Sequence, residues 1–187
     1  QQIDANSGEA YLLLGMLTLA REDGDRIAAT SAFKRATELD PNLGLAFHNL
    51  AAQYLAAKNY EQALGAAQRA SSLLFGAASA GVQLNLGSAL RGLSRHAEAE
   101  GVLRRIVEMD PQYLDGYYNL GVLYLDAPQF SGDSLVGQKR AALQYLMRYQ
   151  DLARDKRDEA SETLIKEARA AVEREERKQK RKPGGGP

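Results

Sequence analysis

The chain has 187 residues, of which 44% are hydrophobic and 26% charged, a composition that fits one compact domain or one short solenoid and excludes a disordered chain. Its 24 basic and 24 acidic residues cancel, which argues against generic nucleic-acid binding, since that needs excess positive charge to displace counterions. There is no cysteine, so disulfides, thiolate metal sites and cysteine nucleophiles are excluded, and no apolar run reaches the about 18 residues of a membrane span.

In chain order, residues 1–7 are polar, and Ser7 is read as the N-cap of a first helix over 8–20. Residues 21–25 form a turn, and a second helix covers 27–39. It stops at Asp40-Pro41, because proline lacks an N–H and pushes the residue before it out of the helical region. A third helix spans 45–57, Lys58-Asn59-Tyr60 makes a tight turn, and a fourth follows to 74. Residues 75–79 read as a small-residue joint. Helices over 81–93 and 96–109 come next, the latter ending at Asp110-Pro111, and another spans 114–125. Residues 126–137, rich in Gly, Ser and Pro, read as a loop; helices over 138–153 and 157–180 follow. The chain closes on a basic run at 177–182 and a Pro/Gly tail at 183–187.

Several helices carry apolar residues at i, i+3, i+4 and i+7, as Tyr117, Leu120, Gly121 and Tyr124 do. Gly121 is informative. A mid-helix glycine costs about 1 kcal/mol relative to alanine, and a helix keeps one where a neighbour must come very close. The unit recurs: Thr37-Glu38-Leu39-Asp40-Pro41 precedes Phe47, Leu50, Ala51 and Tyr54, and Val107-Glu108-Met109-Asp110-Pro111 precedes Tyr117, Leu120, Gly121 and Tyr124. Leu86-Gly87 and Leu120-Gly121 lie 34 residues apart, the period of tetratricopeptide (TPR) repeats.

The chain resembles the TPR family over roughly residues 9–149. The family pattern runs from a large aromatic through Leu-Gly, tyrosine, alanine, aromatic and alanine to proline. The first copy reads Tyr11, Leu14-Gly15, Ala29, Phe33, Ala36, Pro41, and the second Phe47, Leu50-Ala51, Tyr54, Ala63, Ala67, Ala70, with Phe75 in place of proline. The third reads Leu86-Gly87, Leu90, Ala99, Leu103, Ile106, Pro111, and the fourth Tyr117, Leu120-Gly121, Tyr124, then an insertion before Ala142 and Leu146. The resemblance implies an all-α superhelix of about four hairpins, over 8–42, 43–78, 79–112 and 113–153, followed by a C-terminal helix. The apolar stripe of that helix (Leu164, Ile165, Ala168, Ala171, Val172) suits a cap whose outer face is polar. Docking on a partner is the other reading of the same stripe.

In this family the first helix of each hairpin lines a concave groove. Carrying those positions over gives Leu12, Met16 and Leu19; His48, Ala52 and Leu55; Leu84, Ser88 and Arg91; and Tyr118, Val122 and Leu125. Such an apolar surface implies a protein or peptide partner, although leucines at helical spacing also pack as core. Asn49, Asn85 and Asn119 precede the Leu-Gly/Ala pair in three successive copies. A side-chain amide offers a donor and an acceptor, so the three resemble the asparagine ladder with which some superhelical TPR proteins hold an extended peptide. The competing reading has each amide bonded within its own helix pair. The carboxylate clamp of chaperone-tail binders needs Lys and Arg where this chain has Leu12, Met16, Gly81 and Asn85, and is rejected.

Gly132-Asp133-Ser134-Leu135 spells the motif of an esterase family, but a serine nucleophile needs a base and an orienting acid. The only histidines, His48 and His96, lie in different repeats without ligand-spaced partners. No enzyme activity, cofactor or metal is therefore expected. The chain lacks a signal peptide and starts at Gln1, which suggests a trimmed or processed product, a step at which an export signal or N-terminal lipidated cysteine would be lost. In overall character it looks like the TPR lipoproteins of bacterial pilus-assembly and gliding-motility machines. That likeness implies a periplasmic or outer-membrane-associated place, with the cytoplasm as alternative, and contacts through the convex face, the 126–137 loop or the C-terminal helix.

Overall fold

A computed structural model describes residues 7–21, 23–75, 78–154 and 159–181. Among them the regular structure is entirely helical: α1 (Gly8–Ala20), α2 (Arg26–Leu39), α3 (Gly44–Ala56), α4 (Tyr60–Leu73), α5 (Ala78–Gly92), α6 (His96–Met109), α7 (Leu114–Asp126), α8 (Leu135–Ala153) and α9 (Glu159–Arg181). The expected boundaries hold within a residue or two except at two joints, and the expected start of the last helix at 157 lies outside the described residues. α5 begins at Ala78, inside the expected joint, and α8 begins at Leu135, so the inserted loop is shorter, at 127–134. The basic run beyond Arg181 and the Pro/Gly tail lie outside the described residues.

Local chemistry explains the starts and stops. Ser7 Oγ accepts from the Ala10 N–H at 3.1 Å, and Asp25 caps α2 by accepting from Ile27 and Ala28. The two Asp-Pro turns are built alike. Asp40 Oδ1 accepts from the Asn42 N–H and Asp110 Oδ1 from the Gln112 N–H, each at 2.9 Å, and each aspartate's own N–H closes the preceding helix. The shorter turn after α3 is a Schellman motif. Lys58 takes φ 58°, and the Asn59 N–H reaches back to the Tyr54 carbonyl at 2.8 Å.

The chain divides into two compact units, Gln1–Leu93 and Ser94–Pro187, the boundary falling in the third copy between α5 and α6. In the first unit, α1 pairs with α2 and α3 with α4, while α2 packs on α3 and α5 on α4 and α3. Its core joins Leu12, Ala29, Phe33, Ala36, Ala46, Leu50, Ala51, Ala66 and Ala67. The small residues are what let the helices close. A Cβ on Gly15 would lie 2.5 Å from the Phe33 ring, so glycine is required there despite its helix cost.

In the second unit, α7 packs between α6 and α8, and α9 runs along α8 and touches α7. Gly121 has the close neighbour that its position implies: a Cβ there would sit 2.6 Å from Leu146 Cγ of α8. Ile165 and Ala168 of α9 bury against Leu146, with Leu125, Leu143 and Leu164 around them. The apolar stripe of α9 is thus spent on α8, as a cap requires, and its other faces carry the charges.

Candidate protein-binding surface

In the first unit the groove positions separate by depth. Leu12 is buried in the core and Leu19 packs against it, so the expectation that Leu12 is ligand surface does not hold. The cause is local: Leu12 lies on the same side of α1 as Gly8 and Gly15, the side on which α2 closes. Met16 is exposed, and His48, Leu84 and Arg91 are partly exposed. His48 of α3 meets α5. Asn85 Nδ2 donates to the His48 carbonyl at 3.1 Å and lies 3.2 Å from Nδ1, which accepts as the neutral imidazole's lone-pair nitrogen. The ring also passes over Gly81, where a Cβ would be 3.3 Å from Cε1. Burial pulls the His48 pKa below its usual 6.5, so the imidazole is neutral at pH 7. A second polar link ties α5 to α4, where Gln83 Nε2 donates to Ser71 Oγ at 3.0 Å.

The three asparagines are not equivalent. Asn49 and Asn119 each donate to the carbonyl four residues back, Leu45 and Asp115, at 2.8 Å, whereas Asn85 bridges two helices. Repetition in sequence therefore does not carry over into identical bonding: His48 stands beside Asn85 and draws its amide across to α3.

In the second unit Val122 is buried, a core position and not a ligand contact. Tyr118 remains partly exposed. Its ring lies 5.3 Å from that of Tyr149 on α8, at 60°. Tyr118 lines a shallow, open depression with Glu159, Ala160, Thr163 and Leu164 of α9. Sequence reasoning misses these α9 residues. Leu164 is legible only as part of the capping stripe, and its second role depends on α9 lying beside α7.

The loop at 127–134 is firmly held. Gln138 directs Nε2 to the carbonyls of Tyr124, Ala127 and Pro128 at 3.0–3.2 Å, and its Oε1 accepts from the Phe130 N–H. Lys139 Nζ donates to the carbonyls of Tyr124, Leu125 and Ala127. Burial lowers the Lys139 pKa, while the three carbonyls favour its ammonium form. The Phe130 ring packs on Tyr124 and His96. The Tyr124 hydroxyl donates to Glu100 and accepts from Arg104, and burial pushes its pKa up to about 12. Ser134, the serine of the esterase-like motif, is the N-cap of α8, its Oγ accepting from the Gly137 N–H at 3.1 Å. Among the described residues no group of three or more His, Cys, Asp or Glu could hold a metal, and no helix is long and apolar enough to cross a membrane.

Residues 32–65 and 80–113 each match a family model described as a tetratricopeptide repeat. No curated protein sequence matches the chain. Among solved structures, the APC/C hetero-tetramer Cut9–Hcn1 is similar with a TM-score of 0.72 and 17% identity; the match covers 87% of this chain but only 30% of that one. PilF of Pseudomonas aeruginosa is similar with a TM-score of 0.68 and 17% identity over 98% of this chain and 80% of its own. A thermophilic TPR protein of Thermus thermophilus gives 0.67 and 20% over 89% and 83%. At these identities the likeness is one of fold. Two stretches of the chain match the tetratricopeptide-repeat model, and its fold class is the all-helical TPR solenoid.

Proposed function

We propose that this TPR chain is a non-catalytic adaptor that binds a peptide segment of a partner protein along the exposed first-helix faces of its hairpins. The observation that carries the reading is the surface between α7 and α9. It is a shallow, open depression, and it joins an aromatic ring, Tyr118, to the apolar Ala160 and Leu164, the hydroxyl-bearing Thr163 and the carboxylate-bearing Glu159. An aromatic beside aliphatic and hydroxyl groups suits an apolar anchor of a peptide whose backbone still needs hydrogen bonds. The first unit has its own polar contact point at Asn49: one of its amide hydrogens goes to Leu45, and a carboxamide has a second donor and two lone pairs. Within the first unit, Met16 is exposed and His48, Leu84 and Arg91 are partly exposed on α1, α3 and α5.

The reading is tested by in-situ crosslinking and affinity capture from the native source, with the wild type beside Tyr118→Ala combined with Asn49→Ala. Partners captured by the wild type should fall at least tenfold in the variant, and Lys166→Glu on the exposed side of α9 should leave them unchanged. Capture that is indifferent to Tyr118 and Asn49 but lost with Lys166→Glu would favour a second reading, a component of a bacterial envelope assembly. Support for that reading is the fold-level likeness to PilF and the exposure of Gly132, Asp133 and Ser134 at the tip of the loop.

A further inference from the structure

Between α2 and α3 the first unit holds a half-open cleft of about 380 Å³. None of the residues placed on the peptide surface above lines it. Its charged side chains are two cations of α2, Arg26 and Lys34, and among the described residues no Asp or Glu lines it. Both cations are exposed, and neither has an ion-pair partner among the described residues. The neighbouring charges are spent elsewhere: Arg35 pairs with Glu38, and Asp25 accepts from the N–H groups of Ile27 and Ala28. Eight residues apart on one helix, the two cations stand about 12 Å apart along its axis and within about 80° around it.

Between the cations the cleft presents acceptors. Thr30 Oγ1 donates to the Arg26 carbonyl at 2.6 Å and Ser31 Oγ to the Ile27 carbonyl at 3.0 Å, which uses each hydroxyl hydrogen and leaves the lone pairs. On α3, Gln53 Oε1 is buried with no hydrogen-bond partner among the described residues. Buried acceptors are as a rule paired, and a turn about the soft terminal torsion of the carboxamide brings this one to the cleft that Gln53 lines. Asn59, also on the cleft, stands at the N-cap of α4 without using its side chain as the cap. The ends of the cleft call for anions and its middle calls for donors.

We propose that this cleft binds an acidic peptide segment of a partner protein, laid along α2. Two carboxylates of the segment meet Arg26 and Lys34, its backbone N–H groups meet Gln53, Thr30 and Ser31, and Ile27, 81% exposed, packs on an apolar side chain between them. An extended chain advances about 3.3 Å per residue, so a span of about 12 Å sets the two acidic residues about three or four positions apart. Inorganic sulfate satisfies the ends alone, because it brings no donor to the acceptors in the middle.

The test is an NMR titration of the full chain, following its amides, with three probes at matched ionic strength. They are a capped peptide carrying two glutamates about four residues apart, its glutamine counterpart, and sodium sulfate. The glutamate peptide should shift the amides of residues 26–34 and the side-chain amide of Gln53 saturably, and the glutamine peptide should bind at least about tenfold more weakly. Arg26→Gln and Lys34→Gln should each weaken the glutamate peptide at least about fivefold. Gln53→Leu, close in size and without the acceptor, should weaken it about threefold. Arg35→Gln, which removes a charge from the same helix outside the cleft, and Tyr118→Ala on the other surface should leave it unchanged. The comparison of the two peptides needs no variant, so it stands even where a substitution disturbs the fold. No saturable shift with the glutamate peptide, equal binding of the glutamine peptide, or an equal loss with Arg35→Gln overturns the proposal. Sulfate that binds as tightly at the same amides overturns it in favour of a simple anion site, and a loss with Tyr118→Ala overturns it by moving the peptide to the other surface.

Discussion

The two units solve the same packing problem with different chemistry. In the first, repeats of near-constant length are closed by small residues: Ala29, Ala36, Ala46, Ala51 and Ala67 are fully buried, and Gly15 admits the Phe33 ring. In the second, the connection after α7 is longer, and α7's last carbonyls are buried under loop and helix. A helix end leaves its final carbonyls without intrahelical partners, and burying them unpaired costs about 1–3 kcal/mol each. Gln138 and Lys139 of α8 supply the missing donors. A repeat kept in register closes chiefly by shape; a repeat that is interrupted also needs polar side chains placed for the interruption.

The largest expected effect breaks the first half of that contrast. Phe33→Ala removes the central ring of the first unit and should cost about 3–5 kcal/mol, read as a lowered thermal midpoint and faster hydrogen exchange in α1, α2 and α3. Equal acceleration in α7 and α8 would erase the distinction between the units. The next effect sharpens the second half. Gln138→Ala leaves carbonyls of the α7 end and the Phe130 N–H short of a partner, and should cost about 2 kcal/mol. Exchange at Phe130 should rise first, and α1–α4 should be untouched. Unchanged protection at Phe130 would mean that water or Lys139 suffices.

The smallest effect is pH-dependent and belongs to the first unit. Burial holds the folded pKa of His48 below 6.5, so as pH falls the unfolded chain takes up the proton first. Stability is therefore complete above about 6.5, is lost as pH drops from there toward the lower folded value, and levels off below it. His48→Asn, which keeps an acceptor near the Nδ1 position and does not titrate, should flatten the profile between pH 7 and 5 in thermal melts. An identical slope in both proteins would remove His48 as the cause.

Most of the helices are legible in the sequence because their signals are local. Asp40-Pro41 and Asp110-Pro111 stop a helix wherever they occur, Ser7 caps one, and the period of 34 residues needs only the chain itself. Gly121 announces a close neighbour for the same reason: its cost in a helix must be offset by something. The neighbour's identity, Leu146, is beyond reach, as is the turn of α8 back to Leu135.

The candidate surface is legible only in part. Family register puts Leu12 and Val122 on the groove, but both are buried, and at 100° per residue the register does not say which neighbour covers a given side. The three asparagines share a position and not a bonding pattern, because His48 happens to face Asn85. What the sequence determined by itself was the fold class and the absence of cysteine chemistry, which rest on periodicity and composition. What only the tertiary structure decided was which residues meet across helices: the α9 side of the Tyr118 depression, the buried Gln138 and Lys139, and the cleft between α2 and α3. Each depends on partners distant in the chain, and helical periodicity says which side a residue takes without saying what waits there.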